Sequence, residues 1–230
     1  MIHRSLSLPL VVAVTALALA AGPATAAVTS TPGPSSGVAG SSTALAVSSS
    51  PLSKAQATLT KAAARLRAGR RAKAVRALTV LSRQVVEAQR AAVRQIGKPP
   101  ADPESDEPPG PGAVLAVLGL DHRVTSALVP QLASQKGPRV VGRLGRALQR
   151  THVSRNRMIG KVVGLPPAKG DDYADGMSDV LGQFPAELRQ ISTALASKTL
   201  TKRSRAALVK ARARVARANR LMLGEYGGGE

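Results

Sequence analysis

RAKAVRALTVLSRQVVEAQRAAVRQI, residues 71–96, decides the fold class. At 100° per residue Leu78, Leu81, Val85, Ala88, Ala92 and Ile96 fall on one side of a helix, and Lys73, Arg76, Arg83, Arg90 and Arg94 cluster almost opposite. One face packs and the other is cationic. Glu87 is the only acid nearby, so these cations lack the i,i+4 carboxylates that commonly neutralise an exposed helix.

Working outward, Ser53 can cap a preceding helix, Lys54–Ala68, and Gly69 separates the two as a hairpin, residues 53–97. The stretch GKPPADPESDEPPGPG, residues 97–112, then breaks helical character with prolines and four acids, and residues 98–112 read as a linker. Helical pattern resumes from Ala113 to about Ser134, with Pro130 expected to kink or end it, and again from Arg139 to Val163. Further helices are expected over Asp171–Gln183, over Pro185–Ser197 with Pro185 in a first turn, and over Lys202–Leu223. In the last, Leu208, Ala211, Val215, Ala218 and Met222 form a heptad-like seam flanked by Arg203, Lys210, Arg214 and Arg217. No strand pattern competes. The expectation is an all-α antiparallel helical bundle of five to six helices, with residues 113–223 packing on the hairpin and 224–230 forming a flexible tail.

The N-terminal end reads as a targeting signal. His3 and Arg4 precede the apolar stretch Leu6–Ala21, and Ala24-Thr25-Ala26 offers small residues for cleavage, so residues 1–26 are expected to be removed. Residues 27–52, rich in Ser, Thr, Pro and Gly and without a charged residue, read as a disordered leader. No later segment is expected to cross a membrane. The chain is therefore expected to be exported, either secreted or held at the cell envelope. Its 23 Arg against 10 Lys fit a bacterial protein from a GC-rich genome.

With no cysteine, disulfides and thiolate chemistry are excluded. Tyr173, Phe184 and Tyr226 are the only aromatics, which argues against the stacking platforms used for single-stranded nucleic acids and sugars. The net charge of +20 instead favours polyanions in general. Nucleic acid is a possible partner only in a non-specific way.

Three constellations invite chemistry. Asp171-Asp172-Tyr173-Ala174-Asp175-Gly176 places Asp171, Asp175 and Asp179 at calcium-loop positions, but Tyr173 and Gly182 stand where oxygen ligands are needed. The same string matches the Asp-Asp-x-x-Asp cluster of isoprenoid synthases over five residues, without a second metal motif or the aromatics to line a cavity. It is read as a negatively charged helix start, capped by Asp171 or Asp172, whose acids can also pair with neighbouring arginines. Asp121, His122 and His152 approach the bundle interior and are read as satisfied polar groups that fix helix register, because no metal-ligand spacing accompanies them. No nucleophile motif or phosphate loop is present, so neither an enzyme nor a cofactor is expected.

The reading that follows is a non-enzymatic basic bundle binding anionic envelope polymers through Lys73, Arg76, Arg83, Arg90, Arg94, Arg203, Lys210, Arg214 and Arg217. The alternative is a structural or protein–protein interaction module whose charge only confers solubility.

Overall fold

A computed structural model of the chain describes residues 50–98 and 109–226. The expected signal, nearly all of the leader, most of the acidic linker and residues 227–230 lie outside the described residues. The fold is an all-α bundle: α1 Pro51–Arg67, α2 Arg71–Gln95, α3 Pro109–Ser134, α4 Pro138–Val163, the one-turn α5 Pro167–Gly170, α6 Ala174–Ala196 and α7 Lys202–Tyr226. A 3₁₀ turn, Asp171–Tyr173, joins α5 to α6.

The long helices pack antiparallel to their sequence neighbours, which places α2, α4 and α7 in the same direction. Gly97 after α2 lies against Leu165 after α4, and Arg203 at the start of α7 donates to the Pro138 carbonyl at the start of α4. α4 sits between α2 and α7, and α3 packs against α2, α4 and α6. The faces follow the apolar periodicity. Leu78, Leu81, Val85, Ala88 and Ala92 of α2 are buried, Ile96 is half-buried, and the whole α7 seam from Leu208 to Met222 is buried.

Several expected boundaries need correction. The first helix starts at Pro51, inside the expected leader, because the Ser50 hydroxyl rather than Ser53 accepts the free N–H of its first turn. α3 starts at Pro109, inside the expected linker; a first-turn N–H has no intrahelical acceptor, so the prolines at 109 and 111 forfeit nothing. α7 runs on to Tyr226, into the expected tail.

Pro130 neither ends nor visibly interrupts α3. Its missing N–H leaves the Ser126 carbonyl without its helical donor, and the Gln190 side-chain amide of α6 donates to that carbonyl at 3.1 Å. Pro185 likewise lies inside a single helix, α6, where two were expected. Val180, Phe184, Glu187 and Ile191 share one buried stripe that spans the proline, so tertiary packing overrides the local break. Arg205 closes the far end of α6 by donating to the Leu195 and Ser197 carbonyls.

The expectation that no later segment could span a membrane also needs amending. By length and composition α3 is apolar enough over Gly110–Ser134. In the bundle it is a core helix, with Val114, Val117, Leu118, Leu120, Val124 and Leu128 buried against its neighbours.

Two glycines show what the sequence could not. A Cβ on Gly110 would run into the Tyr173 hydroxyl and sit 3.0 Å from the Gln95 carbonyl oxygen, so α3 approaches the end of α2 only as glycine. Gly176 carries an equally close contact with the Leu115 side chain, and this packing accounts for the glycine that a calcium loop would use for its turn. Gly182, by contrast, faces open space on α6. Gly110→Ala should therefore destabilise the bundle by about 1–3 kcal/mol through overpacking. Gly182→Ala should stabilise it by about 0.5–1 kcal/mol through helix propensity. Thermal melts of the two variants check both signs.

Candidate functional site

The ionisable groups divide into a neutralised interior and an unneutralised exterior. Inside, Arg155 of α4 is the largest fully buried side chain, at 1% exposure. Its Nη1 lies 2.9 Å from each carboxylate oxygen of Glu187 on α6 and 3.0 Å from Oδ2 of Asp121 on α3. The guanidinium carbon stands 5.2 Å from the centroid of the Phe184 ring, a cation–π distance. Its Nε and Nη2 find no acceptor among the described residues.

The cluster extends to α2. Gln89, fully buried, directs its amide to Asp121 Oδ1 and to the Thr151 carbonyl, each at 3.3 Å. His122 donates from Nδ1 to Glu187 at 3.1 Å and is the one partly exposed member of the ion-paired set. His152 shares a 3.0 Å hydrogen bond from Nε2 with the Thr125 hydroxyl. Four helices thus meet on one polar knot. The expectation that Asp121, His122 and His152 are satisfied polar groups is met only in part: each contacts a residue of another helix, but the buried Nδ1 of His152 has no hydrogen-bond partner among the described residues. Arg155 and Glu187, the two residues that complete the knot, went unrecognised, although their positions carry a signal. Arg155 is seven residues after Leu148 and three before Met158, and Glu187 is three after Phe184 and four before Ile191, so both interrupt an apolar stripe.

Burial pushes the Asp121 carboxyl up to about 6, despite the opposing field of Arg155; the nearby Glu187 adds to the rise. His152 is held well below the ordinary histidine range by burial, and then by the fields of Arg155 and Arg214. Burial would lower the Arg155 value, but Asp121 and Glu187 outweigh it and raise the guanidinium above its ordinary range, so it stays charged.

Outside, the cations align. All of Lys73, Arg76, Arg83, Arg90 and Arg94 are exposed on α2, as are Arg203, Lys210 and Arg217 on α7, and Arg214 is half-buried. Between these two stripes, α4 presents Arg139, Arg143, Arg146, Arg150, Arg157 and Lys161, all exposed, on a helix with no acid at all. Among the described residues every ion pair belongs to the buried knot; no cation of the three stripes has a carboxylate within pairing distance.

The stripes of α4 and α7 face each other across a groove of about 380 Å³. Arg146 stands on one wall and Arg203, Lys210 and Arg214 on the other, over a floor of Val141, Gly142, Gly145, Ala207 and Ala211. The structure therefore brings three of the expected polyanion-binding residues of α7 together, adds Arg146, and leaves Arg217 and the α2 set outside the groove.

The acidic string holds no expected cap. Asp171 and Asp172 lie exposed in the 3₁₀ turn, α6 begins after Tyr173 without a side-chain cap, and neither acid forms an ion pair among the described residues. The physical reason is that the chain is already helical through Gly170–Tyr173, so α6 continues a turn rather than starting from an extended residue. The Asp175 side chain lies outside the described residues. No group of three metal-ligating side chains assembles among the described residues. The chain matches no protein-family model, no curated protein and no solved structure.

Removing the Arg155 charge would leave two carboxylates facing each other without water. Arg155→Met should cost about 3–5 kcal/mol of stability, and Asp121→Leu with Glu187→Leu in the same chain should recover much of it. Denaturant titration measures both.

The knot also sets a pH dependence. Unfolded His152 takes up a proton below pH 6.5 that the folded residue refuses, so stability falls as the pH drops below 6.5. Asp121 acts oppositely: between about pH 6 and 3.8 the folded state holds a proton that the unfolded state has lost, so its contribution improves as pH falls through that window. His152→Gln should flatten the fall in melting temperature just below pH 6.5. An unchanged slope would mean that His152 is charged in the fold.

Proposed function

We propose that the protein is a non-enzymatic binder of anionic polymers or anionic surfaces, exported to the cell envelope or beyond. The observation that carries this is the outward face of α2, α4 and α7, three neighbouring helices whose aligned cations meet only Glu87 in their middle stretches and pair with no carboxylate among the described residues. Like charges at this density oppose folding, and solubility alone does not call for segregating them on adjacent helices. The interior cluster offers a solute no access, since Asp121, Arg155 and Glu187 are each at most 1% exposed and the two carboxylates face the Arg155 guanidinium. Export rests on the amino-terminal pattern of residues 1–26.

Each phosphate neutralised should contribute about 0.7–0.9 to the slope of log affinity against log salt. Replacing Arg76, Arg83 and Arg90 of α2 by Gln should lower that slope by roughly two if all three engage phosphates. The bundle should remain folded, because all three are exposed and Gln is a good helix former. Affinity for a polyanion such as poly(glycerol phosphate) is measured by titration over a salt series. Affinity and slope both unchanged would place α2 outside the binding face, and a ligand held independently of salt would favour an interaction module instead.

A further inference from the structure

We infer that the groove between α4 and α7 is a built subsite for a linear polyol-phosphate chain lying along the helix axes; the inference rests on the polyanion-binding reading and gives it an address and a ligand class. Arg203 and Arg214 stand eleven residues apart on one helix with Lys210 between them, roughly 16 Å of rise, and Arg146 faces them from α4. One compact anion would satisfy one or two of these cations. A chain with repeating phosphates satisfies the row.

Arg203 donates from Nη1 to the Pro138 carbonyl at 3.3 Å, a long contact that biases this cation's position before any ligand arrives. At its Val141 and Arg203 end the groove meets the first turns of α4 and α7, where the helix dipoles add to the positive field.

Gly145 is explained by packing, since a Cβ there would stand 3.1 Å from the Ala207 Cβ. Gly142 is not: within 4 Å its Cβ would meet only the tip of Arg146, at 3.5 Å. A glycine inside a helix costs about 0.5–1 kcal/mol relative to alanine, and no neighbouring helix requires this one. What it provides is open floor beneath the Arg146 guanidinium, the shape needed for a chain to lie in the groove.

No aromatic lines the groove, Tyr173 and Phe184 are buried elsewhere, and Tyr226 sits at the opposite end of α7 beside Gly170. Bases would find no face to stack on, so a single nucleic-acid strand gains nothing there beyond its phosphates. A polyol phosphate brings the same charge without bulky bases to place.

The decisive variant changes no charge. Gly142→Met extends a side chain into the groove with a better helix former, and should leave the melting temperature equal or higher. It should weaken binding of a synthetic glycerol-phosphate hexamer by about tenfold or more through lost guanidinium–phosphate contacts. Arg146→Gln with Lys210→Gln provides a second route and should weaken the hexamer more than the charge-matched pair Arg76→Gln with Arg90→Gln on α2. Hexamer affinity untouched by Gly142→Met, or equal losses from the two charge-matched pairs, would overturn the groove while leaving a diffuse polyanion face intact. An oligonucleotide of equal phosphate number binding more tightly at the same salt would overturn the ligand class. Failure of the wild-type protein to bind any polyanion at low salt would remove the parent reading with it.

Discussion

The Arg155 guanidinium, taken wholly out of water between Asp121 and Glu187, is the constraint around which the bundle is arranged. A buried charge of this kind is tolerated only with partners in place, and its partners come from different helices: Asp121 from α3 and Glu187 from α6, with Gln89 of α2 holding Asp121 from a further side. A slip of any of these helices by one turn would separate the charges and strand at least one of them in an apolar medium. The remainder of the core cannot impose such a penalty. It is built from Ala, Val and Leu of similar shape, which pack in many registers at similar energy, so polar matching supplies the discrimination that the aliphatic surface lacks.

This arrangement has a consequence at the surface. The chain has 13 acids against 33 Lys and Arg, and two of those acids, Asp121 and Glu187, are spent inside on Arg155. α4 shows the division within one helix. Its inward side carries Leu144, Leu148, Met158 and the single paired Arg155, while its outward side carries five arginines and Lys161 with no acid in the helix. The two sides are independent in chemistry, yet the inner one fixes the axial position of α4 and so fixes where its outer cations stand relative to those of α2 and α7.

Much of this was legible from periodicity. The inward and outward faces of α2, α4 and α7 follow directly from apolar spacing, because a 3.6-residue repeat sustained over many turns has one solution. The prolines were not legible in the same way. Pro130 reads locally as a break, and only the distant Gln190 amide on the Ser126 carbonyl explains its tolerance; Pro185 reads as a start, and only the buried stripe through Phe184 and Glu187 carries the helix across it. Gly176 and Gly110 read as turn residues, while their cause is a contact with Leu115 or Tyr173 elsewhere in the chain. Arg155 shows a different failure: on an arginine-rich helix it reads as one more cation among many, though its spacing from Leu148 and Met158 places it under the core. Composition masked what position disclosed.

The parallel course of α2, α4 and α7 bears on how the charged face behaves. Helices aligned in one direction add their dipoles rather than cancelling them, and here they also bring cationic stripes side by side. Both effects work against packing, and neither is relieved by a carboxylate among the described residues. The folded state is held together instead by apolar burial and by the knot at Arg155, which no surface charge can reach. A polyanion lying on the outward face would then reduce repulsion present only when the three helices are assembled. Its binding would be linked to folding: the ligand prefers the bundle over the unfolded chain by as much as assembly concentrates the charge, so occupancy would raise stability as well as set location. The repulsion and the proposed binding site would in that sense be the same feature, and weakening one by dispersing the arginines would weaken the other.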